Sequence, residues 1–175
     1  RQMCIRDRET AIMHTLFNQV MLGEIYKSNI DNILQSIIIH YERRGLLNLE
    51  DKKCFTDKSL ENFFCLGWIK KLFPNSVIIN IKRDPLASMV SIFRSNLFNS
   101  TWTHRIDDIC KYIEKYYQIL KLWEHEYKVP IYHINYENLI EDFDLETKKL
   151  FKYAGLKWHK NLKQLNINKK IVSKT

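Results

Sequence analysis

The stretch that most constrains this chain is an apolar run that leads directly into charged residues and then into a helix. The run Val77–Ile81 is β-branched apart from its fourth residue and is too short for a helix, so it predicts a buried parallel strand. Lys82 and Arg83 follow. Asp84 and Pro85 then predict a helix start, because Asp caps a helix N-terminus and Pro suits its first position.

The spacing of apolar residues elsewhere supports an α/β fold. It predicts helices over residues 10–22, 30–45, 60–73, 85–97, 106–127 and 145–153, and a second strand over residues 131–136. Asp31 is the expected N-cap of the second helix and Gly155 the expected stop of the last one. Helices that alternate with strands predict a parallel sheet with crossover helices.

The two ends of the sequence carry no start or stop signal of their own. Residues 1–8 have neither a helical nor a strand period, and no apolar segment of a signal peptide follows them. They resemble translated sequencing-adapter scars. We therefore expect residues 1–8 to be a non-native scar and residues 9–175 to be one partial domain, truncated at both ends.

The composition restricts the compartment and the partners. The chain has 28 Lys and Arg against 20 Asp and Glu, and this net charge of +8 predicts an anionic partner: a nucleic acid, a membrane surface or a phosphorylated small molecule. The lysines are scattered and no RNP, KH or helix-turn-helix pattern occurs, so we expect no nucleic acid. No apolar run is long enough to span a membrane. The four Cys lack metal-site spacing, which predicts no zinc site, a reducing compartment and a cytoplasmic location.

The segment after the first strand has the features of an anion site. In an open α/β sheet, ligands bind at the carboxyl ends of the strands, and a helix N-terminus attracts phosphate through its free N–H groups. Arg83 adds a forked cation there, and Ser91 lies two helical turns further on. The alternative is that Arg83 pairs with a nearby carboxylate and Ser91 is a small packing residue.

Three ordered motifs resemble those of bacterial sulfotransferases, a group related to tyrosylprotein sulfotransferases that often carries TPR repeats. Arg83-Asp84-Pro85 with Ser91 resembles the family's 3′-phosphate motif. Residues 56–63 with 72–75 are similar to its DK-x-x-x-NF…FPN segment, and residues 134–139 to its YE-x-L segment. Residues 148–156 and Trp158 resemble the helix and L-x-W that follow. The resemblance covers residues 55–160.

The resemblance implies a fold and an activity. The fold would be a P-loop-kinase-like three-layer α/β fold with a parallel sheet. The activity would be transfer of a sulfuryl group from the co-substrate 3′-phosphoadenylyl sulfate (PAPS) to a hydroxyl or amine of a small-molecule or peptide acceptor. No metal is implied, since Lys and Arg can neutralise the donor's phosphates.

The resemblance also implies roles for five residues. Arg83 and Ser91 would hold the 3′-phosphate of the donor, and Tyr136 would lie near its adenine. Lys58 would stabilise the charge that develops on the leaving phosphate, a cation role that contributes strongly to catalysis. Glu9 is the positional match to the family's general base. The alternatives are a surface lysine at 58 and a core aromatic at 136.

The sequence also departs from the family. The Arg-Ser-Gly-Thr-Thr loop that cradles the 5′-phosphosulfate is absent from these 175 residues, as is the family's C-terminal segment, so we expect the chain alone to be inactive. Two alternatives stay open. One is a nucleotide or small-molecule kinase of the same architecture, although no GxxxxGK[ST] loop is visible, and the other is a basic nucleic-acid-binding module. His104, His125 and His133 fall outside the family motifs and are weaker candidates for a base.

Overall fold

The computed structural model describes residues 11–21, 30–43, 56–95, 97 and 100–162. The chain divides into two compact units. The first comprises residues 1–76 and 118–129, and the second comprises residues 77–117 and 130–175.

The described residues form nine helices and strands and two short 3₁₀ helices. The first unit holds α1 (Ile12–Met21), α2 (Ile30–Arg43), the 3₁₀ helix Leu60–Cys65 and α3 (Leu66–Leu72). The second holds β1 (Ile78–Lys82), α4 (Pro85–Ser95), the 3₁₀ helix Thr101–His104, β2 (Ile131–Asn135), α6 (Tyr136–Glu141) and α7 (Phe143–Tyr153). Helix α5 (Ile106–His125) contributes to both units.

The core of the first unit is built from the apolar stripes that the helical spacing predicts. These buried side chains come from α1, α2, α3 and the 3₁₀ helix before α3, and they are Ile12, Met13, Leu16, Ile33, Ile37, Tyr41, Cys65 and Leu72. Trp123 packs in another part of the same unit, where its indole N–H donates to the carbonyl of Phe63 at 2.8 Å. A Cβ at Gly67 would lie 2.5 Å from the Trp123 ring, so only glycine permits this close approach.

The second unit contains a parallel pair of strands with a helix on each face. The pairing runs from Ile78↔Ile131 to Lys82↔Asn135, which confirms the predicted parallel sheet. Because side chains alternate along a strand, Asn80 points to one face, where the Tyr116 hydroxyl of α5 reaches it. Tyr132 points to the other face and stacks on Tyr153 of α7, with 4.6 Å between ring centroids.

The expectation of a fully buried first strand is wrong. Only Asn80 of β1 is buried, whereas Ile79 and Ile81 are 42% and 57% exposed. On this face of the sheet, Tyr153 of α7 stacks on Tyr132 of β2. The described residues leave Ile79 and Ile81 of the neighbouring strand β1 exposed. The apolar run therefore predicts the strand correctly but not its burial.

Several element boundaries differ from the sequence prediction. Residues 60–73 form a 3₁₀ helix followed by an α-helix instead of one helix, and α2 begins at Ile30, so Asp31 lies inside its first turn rather than at its N-cap. The 3₁₀ helix Thr101–His104 before α5 was not predicted. Helix α6 was not predicted, and it takes Tyr136 out of the second strand.

The predicted stop of the last helix is confirmed. Gly155 has a φ of +66°, a left-handed backbone that glycine adopts without steric cost. Its N–H donates to the carbonyl of Lys152 at 3.2 Å, and the N–H of Leu156 donates to that of Phe151 at 2.8 Å. This pair of hydrogen bonds is a Schellman motif, which satisfies the last carbonyls of α7.

Candidate functional site

The corner between β1 and α4 is formed as the sequence predicts. Asp84 follows the strand, and its carboxylate Oδ1 accepts a hydrogen bond from the N–H of Ala87 at 2.7 Å. Pro85 is the first residue of the helix. The Asp N-cap followed by Pro therefore turns the chain directly from the sheet into α4 and places Arg83 at the carboxyl end of the strand.

The start of α4 offers fewer free N–H groups than expected. The N–H of Asp84 donates to Glu137 Oε1 at 3.1 Å, Pro85 has no N–H, and the N–H of Ala87 is taken by the Asp84 cap. Among the described residues, the N–H of Leu86 has no hydrogen-bond partner. An anion at this corner would therefore depend on the Arg83 side chain more than on the helix amides.

Arg83 and Tyr136 are brought together by the structure. The guanidinium carbon Cζ of Arg83 lies 5.0 Å from the centroid of the Tyr136 ring, within the range of a cation–π contact. Among the described residues Arg83 forms no ion pair, so the alternative of a carboxylate partner is not what the structure shows. Tyr136 is 37% exposed at the first position of α6, so it is not a core aromatic.

Ser91 lies on the same helix as the corner but is not a packing residue. Its side chain is exposed, and its backbone carbonyl accepts a hydrogen bond from the Ser95 hydroxyl at 2.7 Å. It lies six positions after Pro85, which corresponds to about 9 Å along the helix axis. The Ser91 hydroxyl is thus available to a ligand on α4.

Lys58 belongs to the first unit and lies between two anchored neighbours. Asp57 accepts hydrogen bonds from the Tyr41 hydroxyl at 2.6 Å and from the backbone N–H and hydroxyl of Ser59 at 2.9 and 2.6 Å. The Ser59 hydroxyl in turn accepts from the N–H of Ala11 at 2.9 Å. The backbone on both sides of Lys58 is therefore fixed, and its own side chain is exposed.

A second contact joins the same two segments of the first unit. His14 Nδ1 of α1 lies 2.8 Å from Glu61 Oε2 of the 3₁₀ helix, and His14 Nε2 lies 3.3 Å from Asn18 Nδ2. Sequence reasoning missed this His–Glu pair because its members are 47 positions apart and no local spacing relates them.

A buried polar network also escaped the sequence analysis. Asn80 Nδ2 lies 3.1 Å from His133 Nδ1 of the neighbouring strand, and Asn80 Oδ1 accepts a hydrogen bond from the Tyr116 hydroxyl. Burial, with a smaller contribution from Tyr117, raises the pKa of Tyr116 to about 12, although the bond to Asn80 lowers it. The sequence does contain one indication of this network, because an Asn inside an apolar strand requires polar partners when it is buried.

Glu9, the expected general base, lies outside the described residues. Burial, followed by the charge of Asp57, raises the pKa of the Cys65 thiol to about 12, so this cysteine stays protonated at neutral pH. Within the described residues, no group of three or more His, Cys, Asp or Glu side chains is arranged to hold a metal ion. None of the described helices is long and apolar enough to cross a membrane.

Comparison with known proteins identifies the family. The model of the sulfotransferase family matches residues 7–160. The chain belongs to the sulfotransferase family. The matched segment contains the Lys58 region, the β1–α4 corner and the Tyr136 region.

A relative of this sulfotransferase chain is an uncharacterized protein of Aquifex aeolicus (strain VF5). It is 26% identical over 140 residues, which cover 73% of this chain and 17% of the relative. The chain thus spans about a sixth of the length of that protein. The comparison with solved structures found no match to this chain.

Proposed function

We propose that the protein containing this chain transfers a sulfuryl group from PAPS to a hydroxyl or amine of a small-molecule or peptide acceptor. The single observation that carries the proposal is the placement of Arg83. It lies at the carboxyl end of a parallel strand and directly before a helix N-terminus, inside a segment that matches the sulfotransferase family. The same membership supports a P-loop-like three-layer fold for the whole domain.

In this proposal the corner between β1 and α4 binds the 3′-phosphate of the donor. Arg83 donates to the 3′-phosphate through the edge of its guanidinium, and the exposed Ser91 hydroxyl adds a weaker hydrogen bond. The planar guanidinium can donate through its edge while its carbon Cζ stays 5.0 Å from the centroid of the Tyr136 ring. The family resemblance also places Tyr136 near the adenine, and an exposed ring at this position is compatible with both contacts.

The residue proposed to act on the reaction itself is Lys58. The S–O bond to the leaving phosphate breaks as the acceptor oxygen or nitrogen bonds to sulfur, and negative charge grows on the bridging oxygen. The Lys58 ammonium stabilises this charge. Two observations support this role: the Lys58 side chain is exposed, and hydrogen bonds hold the neighbouring residues Asp57 and Ser59 in place. Glu9 is the proposed acceptor of the proton that the acceptor group releases.

The proposal separates from the kinase and nucleic-acid alternatives in one binding experiment. The full-length protein is titrated by calorimetry with adenosine 3′,5′-bisphosphate, ATP with Mg²⁺, and a single-stranded oligonucleotide. Preferential binding of the 3′,5′-bisphosphate, together with transfer of labelled sulfate from PAPS to an acceptor mixture, supports sulfuryl transfer. Preferential binding of ATP or of the oligonucleotide refutes it.

A further inference from the structure

The first two residues of α6 both contact the corner between β1 and α4. The last paired residues of the strands are Lys82 and Asn135, and the same offset of 53 positions continues beyond the sheet. Arg83 thereby meets Tyr136, and the N–H of Asp84 meets the carboxylate of Glu137. The two strand ends thus stay side by side for two residues after the ladder stops.

These two contacts act on different parts of the same turn. The Tyr136 ring faces the guanidinium of Arg83, whereas Glu137 Oε1 holds the backbone one residue later, at 3.1 Å from the Asp84 nitrogen. An arginine side chain has many rotamers, and fixing one of them costs entropy whenever it binds a ligand. A contact that orders Arg83 before the ligand arrives reduces that cost.

We propose that Tyr136 and Glu137 are positioning residues that hold Arg83 in place for an anionic ligand. This inference rests on the proposed function, in which Arg83 binds the 3′-phosphate of the donor. It gives Tyr136 a role toward Arg83 in addition to the expected role toward the adenine, and it gives Glu137 a role that the motif resemblance did not assign.

Glu137 is expected to have two opposite effects on anion binding, and variants can separate them. A carboxylate beside a phosphate-binding arginine repels the anion, while its hydrogen bond to Asp84 orders the turn. Glutamine separates the two effects, because its carbonyl accepts the same hydrogen bond without the charge. Glu141 is a matched control, since it is an exposed carboxylate at the other end of the same helix.

The experiment measures nucleotide binding by calorimetry in the full-length protein. The probes are adenosine 3′,5′-bisphosphate and adenosine 5′-phosphate, which differ only in the 3′-phosphate. We expect Glu137→Ala to weaken binding of the bisphosphate about three- to tenfold, the range of one net hydrogen bond, and to leave the monophosphate unchanged. Glu137→Gln should bind the bisphosphate at least as tightly as the wild type, and Glu141→Ala should match the wild type for both probes.

A second pair of variants tests the aromatic contact. Tyr136→Phe keeps the ring and should keep the preference for the bisphosphate. Tyr136→Leu removes the ring and should reduce that preference. If Tyr136→Leu weakens both nucleotides by the same factor, the ring acts on the shared adenosine alone and its positioning role is refuted.

A double-mutant cycle distinguishes positioning from general damage to the turn. If Glu137 acts through Arg83, Glu137→Ala should cause no further loss of bisphosphate binding once Arg83→Ala is present. Additive losses in the double variant would show that Glu137 acts independently of Arg83 and would overturn the inference.

The outcomes also separate the inference from the proposed function. A wild-type protein that binds both nucleotides equally refutes the 3′-phosphate site, and the inference fails with it. A wild-type protein that prefers the bisphosphate, combined with a Glu137→Ala variant that equals Glu141→Ala or binds the bisphosphate more tightly, refutes the inference alone.

Discussion

Replacing Arg83 by Ala should remove most of the preference for a 3′-phosphorylated nucleotide. The structure gives the reason: of the backbone N–H groups at positions 84–87, those of Asp84 and Ala87 are already bonded and Pro85 has none. The side chain therefore supplies most of the attraction at this corner. A charge-assisted hydrogen bond contributes about 1.5–3 kcal/mol. We expect binding of adenosine 3′,5′-bisphosphate to weaken about ten- to a hundredfold.

The Arg83 measurement uses calorimetry on the full-length protein, with adenosine 5′-phosphate as the second ligand. Binding of this monophosphate should barely change, because it has no group for Arg83 to hold. Arg83→Lys should give an intermediate loss, since it keeps the charge but not the forked pair of donors. Arg94→Ala is the control, because Arg94 lies in the last turn of the same helix, about 13.5 Å from its start.

One result would refute the reasoning about Arg83. If Arg83→Ala weakens the bisphosphate and the monophosphate by the same factor, the residue supports the fold or the adenosine site and does not read the 3′-phosphate. An effect of equal size in Arg94→Ala would point to the loss of general positive charge instead.

Four further results are expected. Ser91→Ala should lower the same nucleotide preference less than Arg83→Ala, because a neutral hydroxyl is a weaker donor than a cation; the same titrations check this. Lys58→Ala should reduce turnover far more than donor affinity, which steady-state kinetics with PAPS would show, and an unchanged turnover number removes it from the catalytic residues. Gly155→Ala should lower the free energy of unfolding by about 1–2 kcal/mol in urea titrations, from backbone strain at its positive φ alone, since a Cβ there meets no atom within 4 Å. Because the pKa of Tyr116 is raised from 10.0 to about 12, the unfolded chain loses this proton first, so stability should fall as the pH rises from about 10 toward 12, and Tyr116→Phe should flatten that slope in unfolding titrations.

The local parts of the fold and site could be predicted from the sequence, because their signals are local. The Asp-Pro start of α4 and the Gly155 stop of α7 depend on neighbouring residues, and both are confirmed. The apolar run before Lys82 predicted β1, and the 3.6-residue spacing predicted the core faces of α1 and α2.

The parts that sequence reasoning missed depend on residues that are far apart in the chain. The bond between Asp84 and Glu137 spans 53 positions, and no pattern within either segment reveals it. The same holds for the hydrogen bond between the Tyr41 hydroxyl of α2 and Asp57, which lies outside the helices. Burial of the strand also failed as a prediction, because the exposure of Ile79 and Ile81 depends on what covers that face and not on the strand's own residues.

The polar network at Asn80 has a consequence for the geometry of the proposed anion site. A slip of the two strands by one residue would place an isoleucine opposite the Tyr116 hydroxyl and leave buried polar atoms without partners, which is costly. The same slip would shift Arg83 by about 3.3 Å relative to Tyr136, enough to separate the guanidinium from the ring. Asn80 therefore favours the observed register of the two strands, and this is the register that brings Arg83 beside Tyr136.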